Sequence, residues 1–264
     1  MKKSHIYSRI IREIFRRHYT PDADRLYFQR SEIEEVAKEL NIELPKNYGD
    51  LIYSFRFRRP LPDEIRSTAP PEYEWRIELS GRANYCFTLG KINRIIPRND
   101  LRKIKIPDAT PEIISKYTSG DEQALLTKVR YNRIIDIFLG VTAYSLQNHL
   151  RTTVEGIGQI EIDEIYVGVN RHGNQFIIPV QAKGGSDQLG VVQTQQDIIY
   201  CCQKFPELIC RPISAQFLDT NLIAIFELIS EDETIRVVDE KHYLLVPNQE
   251  ISDQELRSYK VYYD

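Results

Sequence analysis

Two β-branched, alternating runs face each other across a short polar turn, and they constrain this chain more than anything else in it. GQIEIDEIYVG, residues 158–168, and FIIPVQAK, residues 176–183, flank the turn cluster Asn170-Arg171-His172-Gly173. Such a pattern predicts a β-hairpin. With the turn centred on His172, opposed positions sum to 344, so Asp163 faces Gln181 and Glu161 faces Lys183. Strand side chains alternate, which puts all four on one face and sends Ile160, Ile162 and Ala182 into a core. The flanking segments are strongly apolar, so the hairpin is expected to be central in its sheet.

Two carboxylates this close repel unless a cation lies between them, and oxygen donors suit a hard ion such as Mg²⁺. A neighbouring lysine can polarise an attacking water. Acid, acid or amide, and lysine are the parts needed for in-line hydrolysis of a phosphodiester. The plainer alternative is a solvated strand face with Lys183 as a surface partner, an arrangement that contributes little. Charges clustered on a central strand argue against it, because burying them needs a functional reason.

Asp163 followed after seventeen residues by Gln181-Ala182-Lys183 resembles the PD-(D/E)XK nuclease superfamily, which includes most type II restriction endonucleases. In that family the acid sits on one central strand and the (D/E)-x-K tripeptide on its neighbour. The resemblance implies metal-ligand roles for Asp163 and Gln181 and a water-orienting role for Lys183. It also implies an α/β (α+β) fold, a restriction-endonuclease-like central mixed sheet flanked by helices. This chain departs from the pattern twice: no Pro precedes Asp163, and Gln181 stands where the second acid is usual. A neutral ligand leaves the site one negative charge short, so Glu161 or Glu155 is expected to supply it as catalytic group or metal ligand. Glu164 points away. After the lysine run, LGVVQTQQDIIYCCQKF reads as a helix, and Gln196-x-x-x-Tyr200 resembles the QxxxY signature of the helicase-linked exonuclease branch. Gln193, Gln196 and Tyr200 share one helical stripe, able to reach the metal site or a DNA backbone.

The first part of the chain differs in charge. Residues 1–110 hold 22 Lys and Arg against 16 Asp and Glu, and residues 111–264 hold 13 against 22. A basic module joined to an acidic one suits DNA gripping beside carboxylate-borne metal chemistry. Helical periods are expected at 5–18, from Ser31 to Leu40, and from about Asn47 with Leu51, Ile52 and Phe55 inward. Ser31 and Glu34 are read as a capping box and Asn41 as a left-handed stop. EYEWRIEL and NYCFTLG around Ser80-Gly81-Arg82-Ala83 predict a hairpin. Three helices then a hairpin is the order of a winged helix-turn-helix, with Arg56, Arg58 and Arg59 at the third helix and Arg82 at the wing as DNA contacts. The boundary is expected at 106/107, after a basic, proline-marked linker holding a short strand. Thr110-Pro111 opens a helix, a longer one runs from about 121 to 139, and FLDTNLIAIFELI offers a further buried strand.

No apolar run reaches the ~18 residues of a membrane span, and the first residues lack the pattern of a secretory leader. Four cysteines without CxxC or zinc-finger spacing fit reduced thiols in a cytoplasmic protein. The expectation is a Mg²⁺-dependent, sequence-reading endonuclease on double-stranded DNA. A homodimer would match a two-fold site, and a companion DNA methyltransferase is an implied partner. The competing readings are a repair or transposon-associated nuclease and a non-catalytic winged-helix regulator.

Overall fold

The computed structural model describes residues 3–45, 48–92, 95–117, 122–155, 157–184, 191–231 and 234–260. Contacts divide the chain into two units, 1–93 with 153–160, and 94–152 with 161–264.

In the first unit, α1 (Lys3–His18) buries Tyr7, Ile10, Ile11, Ile14 and Phe15 on one face. β1 (Arg25–Gln29) follows, with Leu26 and Phe28 turned inward; five residues with two apolar positions gave no readable strand signal. α2 (Ser31–Glu39) starts differently from the expected capping box. Arg30 occupies the cap position without a side-chain bond, and Glu32 accepts the Gln29 N–H at 2.7 Å. Glu34 instead accepts the Tyr48 hydroxyl. The helix ends as the sequence implies: Asn41 has φ +50°, the Ile42 N–H reaches the Ala37 carbonyl at 2.8 Å, and the Asn41 N–H reaches Lys38 at 3.1 Å. That paired closure is the Schellman arrangement.

α3 (Gly49–Tyr53) runs on into a π-helical turn, Ser54–Arg58, and Leu51, Ile52 and Phe55 are buried as expected. The expected start at Asn47 lies outside the described residues. α4 (Asp63–Arg66) precedes β2 (Tyr73–Leu79) and β3 (Asn84–Lys91). Gly81 (φ +106°) and Ala83 (φ +59°) turn that hairpin. The sheet order is β1-β3-β2.

The second unit is mixed α/β. Its elements are β4 (Lys103–Pro107), α5 (Glu112–Tyr117), α6 (Glu122–Tyr131), α7 (Ile134–Leu139), β5 (Thr142–Val154), β6 (Gly158–Val169), β7 (Gln175–Lys183), α8 (Val191–Lys204), β8 (Ile209–Cys210), β9 (Ile213–Asp219), β10 (Leu222–Glu231), β11 (Thr234–Val246) and α9 (Asp253–Ser258). The facing ends of β5 and β6 cluster with the first unit. The sheet order is β4-β11-β10-β9-β7-β6-β5, with β8 also on β7. One core packs Ile178, Val180 and Ala182 of β7 against Leu125 and Val129 of α6 and Ile134 and Ile135 of α7. On the opposite face Val191 and Ile198 of α8 pack with Phe226 and Leu228 of β10. Helices thus cover both faces, and β7 is buried at every residue except Gln175.

Several expectations change here. The helix from 121 to 139 is two, because Arg133 takes a left-handed φ of +52° and buried Asn132 bonds back to Lys128, Asp108, Ala109 and Thr110. FLDTNLIAIFELI is not one strand: it breaks at Thr220-Asn221 between β9 and β10. β4 is the short strand expected in the basic, proline-marked segment, and it pairs in parallel with β11 within the second unit.

The hairpin is where sequence and structure agree most closely. β6 and β7 pair from Val169↔Gln175 to Glu164↔Val180, and every pair sums to 344. Asn170 organises the turn. Its side chain accepts the N–H groups of His172 (2.9 Å) and Asn174 (3.1 Å), and Gly173 takes φ +82°. On its other edge β7 pairs in parallel with β8 through Ile177↔Cys210 and with β9 from Val180↔Ile213, at one constant offset. That offset sets Pro179 beside Pro212. The ladder breaks between β8 and β9 at two residues that have no N–H to give.

Candidate functional site

The site lies where β6 and β7 run past their last backbone pair. There, side chains bridge the strands. The Asp163 carboxylate accepts the Ala182 N–H at 2.8 Å, and the Gln181 Nε2 donates to the Glu161 carbonyl at 3.2 Å. Asp163, Gln181 and Lys183 share the face covered by α8, as the alternation requires. Asp163 is half-buried. Burial pushes its pKa up, the nearby Glu122 and Glu161 push the same way, and the Ala182 N–H and the Lys183 ammonium pull against them. Lys183 is 9% exposed, with its Nζ 3.3 Å from the carboxylate of Glu122, the first residue of α6.

Asp197 is the residue the sequence reading missed. It projects from α8, is 2% exposed, and its Oδ2 accepts the Gln181 Nε2 at 2.7 Å. Burial drives its pKa well above the usual carboxylate range, with Asp163 and Cys210 adding to the rise and Gln181 and Lys183 opposing it. Its signal was present: Val191, Thr194, Asp197 and Cys201 form the buried stripe of α8 at helical spacing, and an acid in that stripe is costly without a partner. Glu122 carried no comparable signal, because its position depends on where α6 begins relative to the end of β7.

The other expected residues divide. Glu161 is on the right face, but its carboxylate pairs with Arg151 at 3.0 Å. Glu155 is exposed and belongs to the first unit. Glu164 points away as expected, fully buried and held by Arg130 at 2.9 Å and the Ser145 hydroxyl at 2.6 Å. On α8, Gln196 is buried and Gln193 and Tyr200 flank the inward stripe half-buried. Tyr200 meets Phe205 edge-on at 6.4 Å.

In the first unit Arg82 is exposed at the β2–β3 turn. The Arg59 guanidinium lies over the Tyr7 and Phe55 rings at 5.7 and 5.4 Å. Arg56 is largely inward, beside Tyr53, Glu78 and Tyr85, and burial lowers its pKa to about 10. The Arg58 side chain lies outside the described residues.

Among the described residues no group of three or more His, Cys, Asp or Glu converges on a point where they could hold a metal. The donor set at the hairpin end is of another kind, one carboxylate plus one amide oxygen. Gln181 Oε1 and Asp197 Oδ1 are buried without hydrogen-bond partners. A buried acceptor left this way costs ~1–3 kcal/mol, a cost that an oxygen-seeking cation would remove. Comparison with protein-family models, curated proteins and solved structures gives no match. Among the described residues no helix is long and apolar enough to cross a membrane.

Proposed function

We propose that the second unit hydrolyses phosphodiester bonds of double-stranded DNA with Mg²⁺, as an endonuclease of the type II restriction kind. The observation that carries this is the meeting of Asp163, Gln181 and Lys183 on one face at the open end of a central hairpin. The acid sits on one strand and the Q-x-K tripeptide on its neighbour, the arrangement that the PD-(D/E)XK resemblance implies. Asp163 and the Oε1 of Gln181 would hold the metal, and Asp197 would act from behind the amide by holding its N–H side away from the ion. When bound, magnesium provides Lewis acidity toward the phosphate and makes a water more acidic. Lys183, anchored by Glu122, would orient the attacking water and offset charge on the phosphate.

The first unit reads as a winged helix that grips duplex DNA, with Arg82 at the wing and Arg59 beside the third helix. The basic balance of residues 1–110 supports it. A two-fold homodimer matching a two-fold site, a cytoplasmic location and a companion methyltransferase belong to the same reading.

The test is incubation with mixed plasmid DNA, with and without Mg²⁺, alongside Lys183→Ala and Asp163→Ala. Discrete fragments that need the metal and both side chains support site-specific cleavage. Bound but intact DNA in every lane would sink the catalytic reading in favour of a DNA-binding regulator.

A further inference from the structure

The neighbouring strands β5 and β6 do not advance in step. Val141 lies against Gly168, where an added Cβ would meet a Val141 methyl at 3.4 Å, and the Ser145 hydroxyl donates to Glu164 at 2.6 Å. Both contacts fit one antiparallel register. Beyond them, Arg151 pairs with Glu161 at 3.0 Å. From Ser145 to Arg151 β5 advances six residues, while from Glu164 to Glu161 β6 advances three. β5 therefore bulges between these two contacts by three residues. Strict alternation would leave 145 and 151 on one face. Instead Ser145 meets Glu164 on the side of α6, where Arg130 also holds that carboxylate, and Arg151 meets Glu161 on the side of α8. An odd excess has that effect.

Counting back from Arg151 and Glu161, buried Leu150 falls opposite buried Ile162, and His149 falls opposite Asp163. Opposed residues of neighbouring strands have Cα atoms about 4.5–5.5 Å apart. His149 takes φ +48°, a backbone region costly for a residue with a Cβ. Its side chain is exposed, and among the described residues no hydrogen bond to the ring offsets that cost. Asn148 accepts from Arg130 at 3.0 Å, which ties the bulge to α6. From 137 to 154 the chain carries no Asp or Glu, although residues 111–264 hold 22 of them against 13 Lys and Arg. The bulge is thus an acid-free stretch beside Asp163, where a polyanion meets little repulsion.

We propose that the bulge, residues 146–150, is a DNA-backbone contact, with His149 donating an imidazole N–H to a phosphate of the strand held at Asp163. This rests on the reading of the second unit as a nuclease. His149 is a binding residue here: it positions the strand and takes no part in breaking the bond. Its left-handed backbone is then strain kept for a ligand, and that separates the proposal from a structural role. A residue kept for the fold loses stability when replaced by glycine. One kept for a ligand loses binding while the fold holds or gains.

The experiment compares the full-length parent with His149→Gly and His149→Asn in thermal melting and in steady-state cleavage of plasmid DNA with Mg²⁺. His149→Gly should melt at or above the parent and raise KM about tenfold with kcat nearly unchanged, the effect of one hydrogen bond to a charged group. His149→Asn, which keeps an N–H donor and tolerates the left-handed backbone, should recover most of the loss. An unchanged KM, or a lower melting temperature for His149→Gly, overturns the proposal. If the parent leaves plasmid intact, the cleavage reading has failed by itself, and anisotropy with a fluorescent DNA duplex in EDTA decides this one. Weaker binding by His149→Gly then supports the contact. Equal binding, or none by the parent, overturns it.

Discussion

The Gln181 side chain gives its amide N–H groups to the carboxylate of Asp197 at 2.7 Å and to the Glu161 carbonyl at 3.2 Å, and the two bonds together fix which way the amide faces. Rotating the amide by half a turn would set Oε1 against Asp197 Oδ2 and the Glu161 carbonyl, acceptor against acceptor. Gln181 Oε1 is therefore held away from both. Asp197 acts on the site through Gln181, as a positioning residue.

If that orientation serves a cation, Asp197→Ala weakens Mg²⁺ binding by about 10–100-fold, the range found for lost outer partners of metal ligands. Titration calorimetry on the variant and the parent checks it, with a cooperative melt showing that the fold survives. Equal affinities in the two proteins would remove Asp197 from the account.

Asp197 and Asp163 both bind protons more tightly in the folded chain than in the unfolded one. The folded state then holds more protons above the ordinary aspartate range, so these groups make stability fall as pH rises toward their elevated folded values. In metal-free buffer, denaturant unfolding at pH 5 and pH 8 should show Asp197→Asn gaining relative to the parent at the higher pH. A pH-independent difference between them counts against a strained carboxylate.

How far the sequence could be read depended on how local each signal was. The β6–β7 register follows from alternation and one turn, all within 26 consecutive residues, 158–183, and it held at every pair. Asn41 needed only its own φ to end α2. β5 and β11 were not read as strands. β5 shows long exposed stretches at the sheet's end, and β11 has a polar middle at Asp239, Glu240 and Lys241. Their partners, not their own patterns, make them strands. Asp197 and Glu122 reach the site by tertiary packing of α8 and α6, which no window on the sequence contains.

Arg130 is the charged partner of fully buried Glu164, whose carboxylate also accepts the Ser145 hydroxyl. Arg130→Ala leaves a buried carboxylate without its cation, and should cost about 3 kcal/mol. Urea unfolding measures it. A loss under ~1 kcal/mol would mean that Arg130 contributes little to holding Glu164 in the interior.

Asn41 gives a smaller and cleaner test. Its left-handed backbone favours glycine and penalises β-branched residues. Asn41→Gly should be close to neutral, while Asn41→Val should lower stability by about 1–2 kcal/mol in thermal or urea unfolding. Equal effects would mean that α2 can end by another route.

The turn at Asn170–Asn174 has one further consequence, for how this chain can change length. Adding or deleting one residue there, with pairing otherwise kept, would turn β7 over: Ala182 would face outward to α8, and Gln181 and Lys183 would be driven among the leucines and isoleucines beneath α6. Parity, more than the identity of any turn residue, is what that loop must preserve, and an indel of two would be better tolerated than an indel of one.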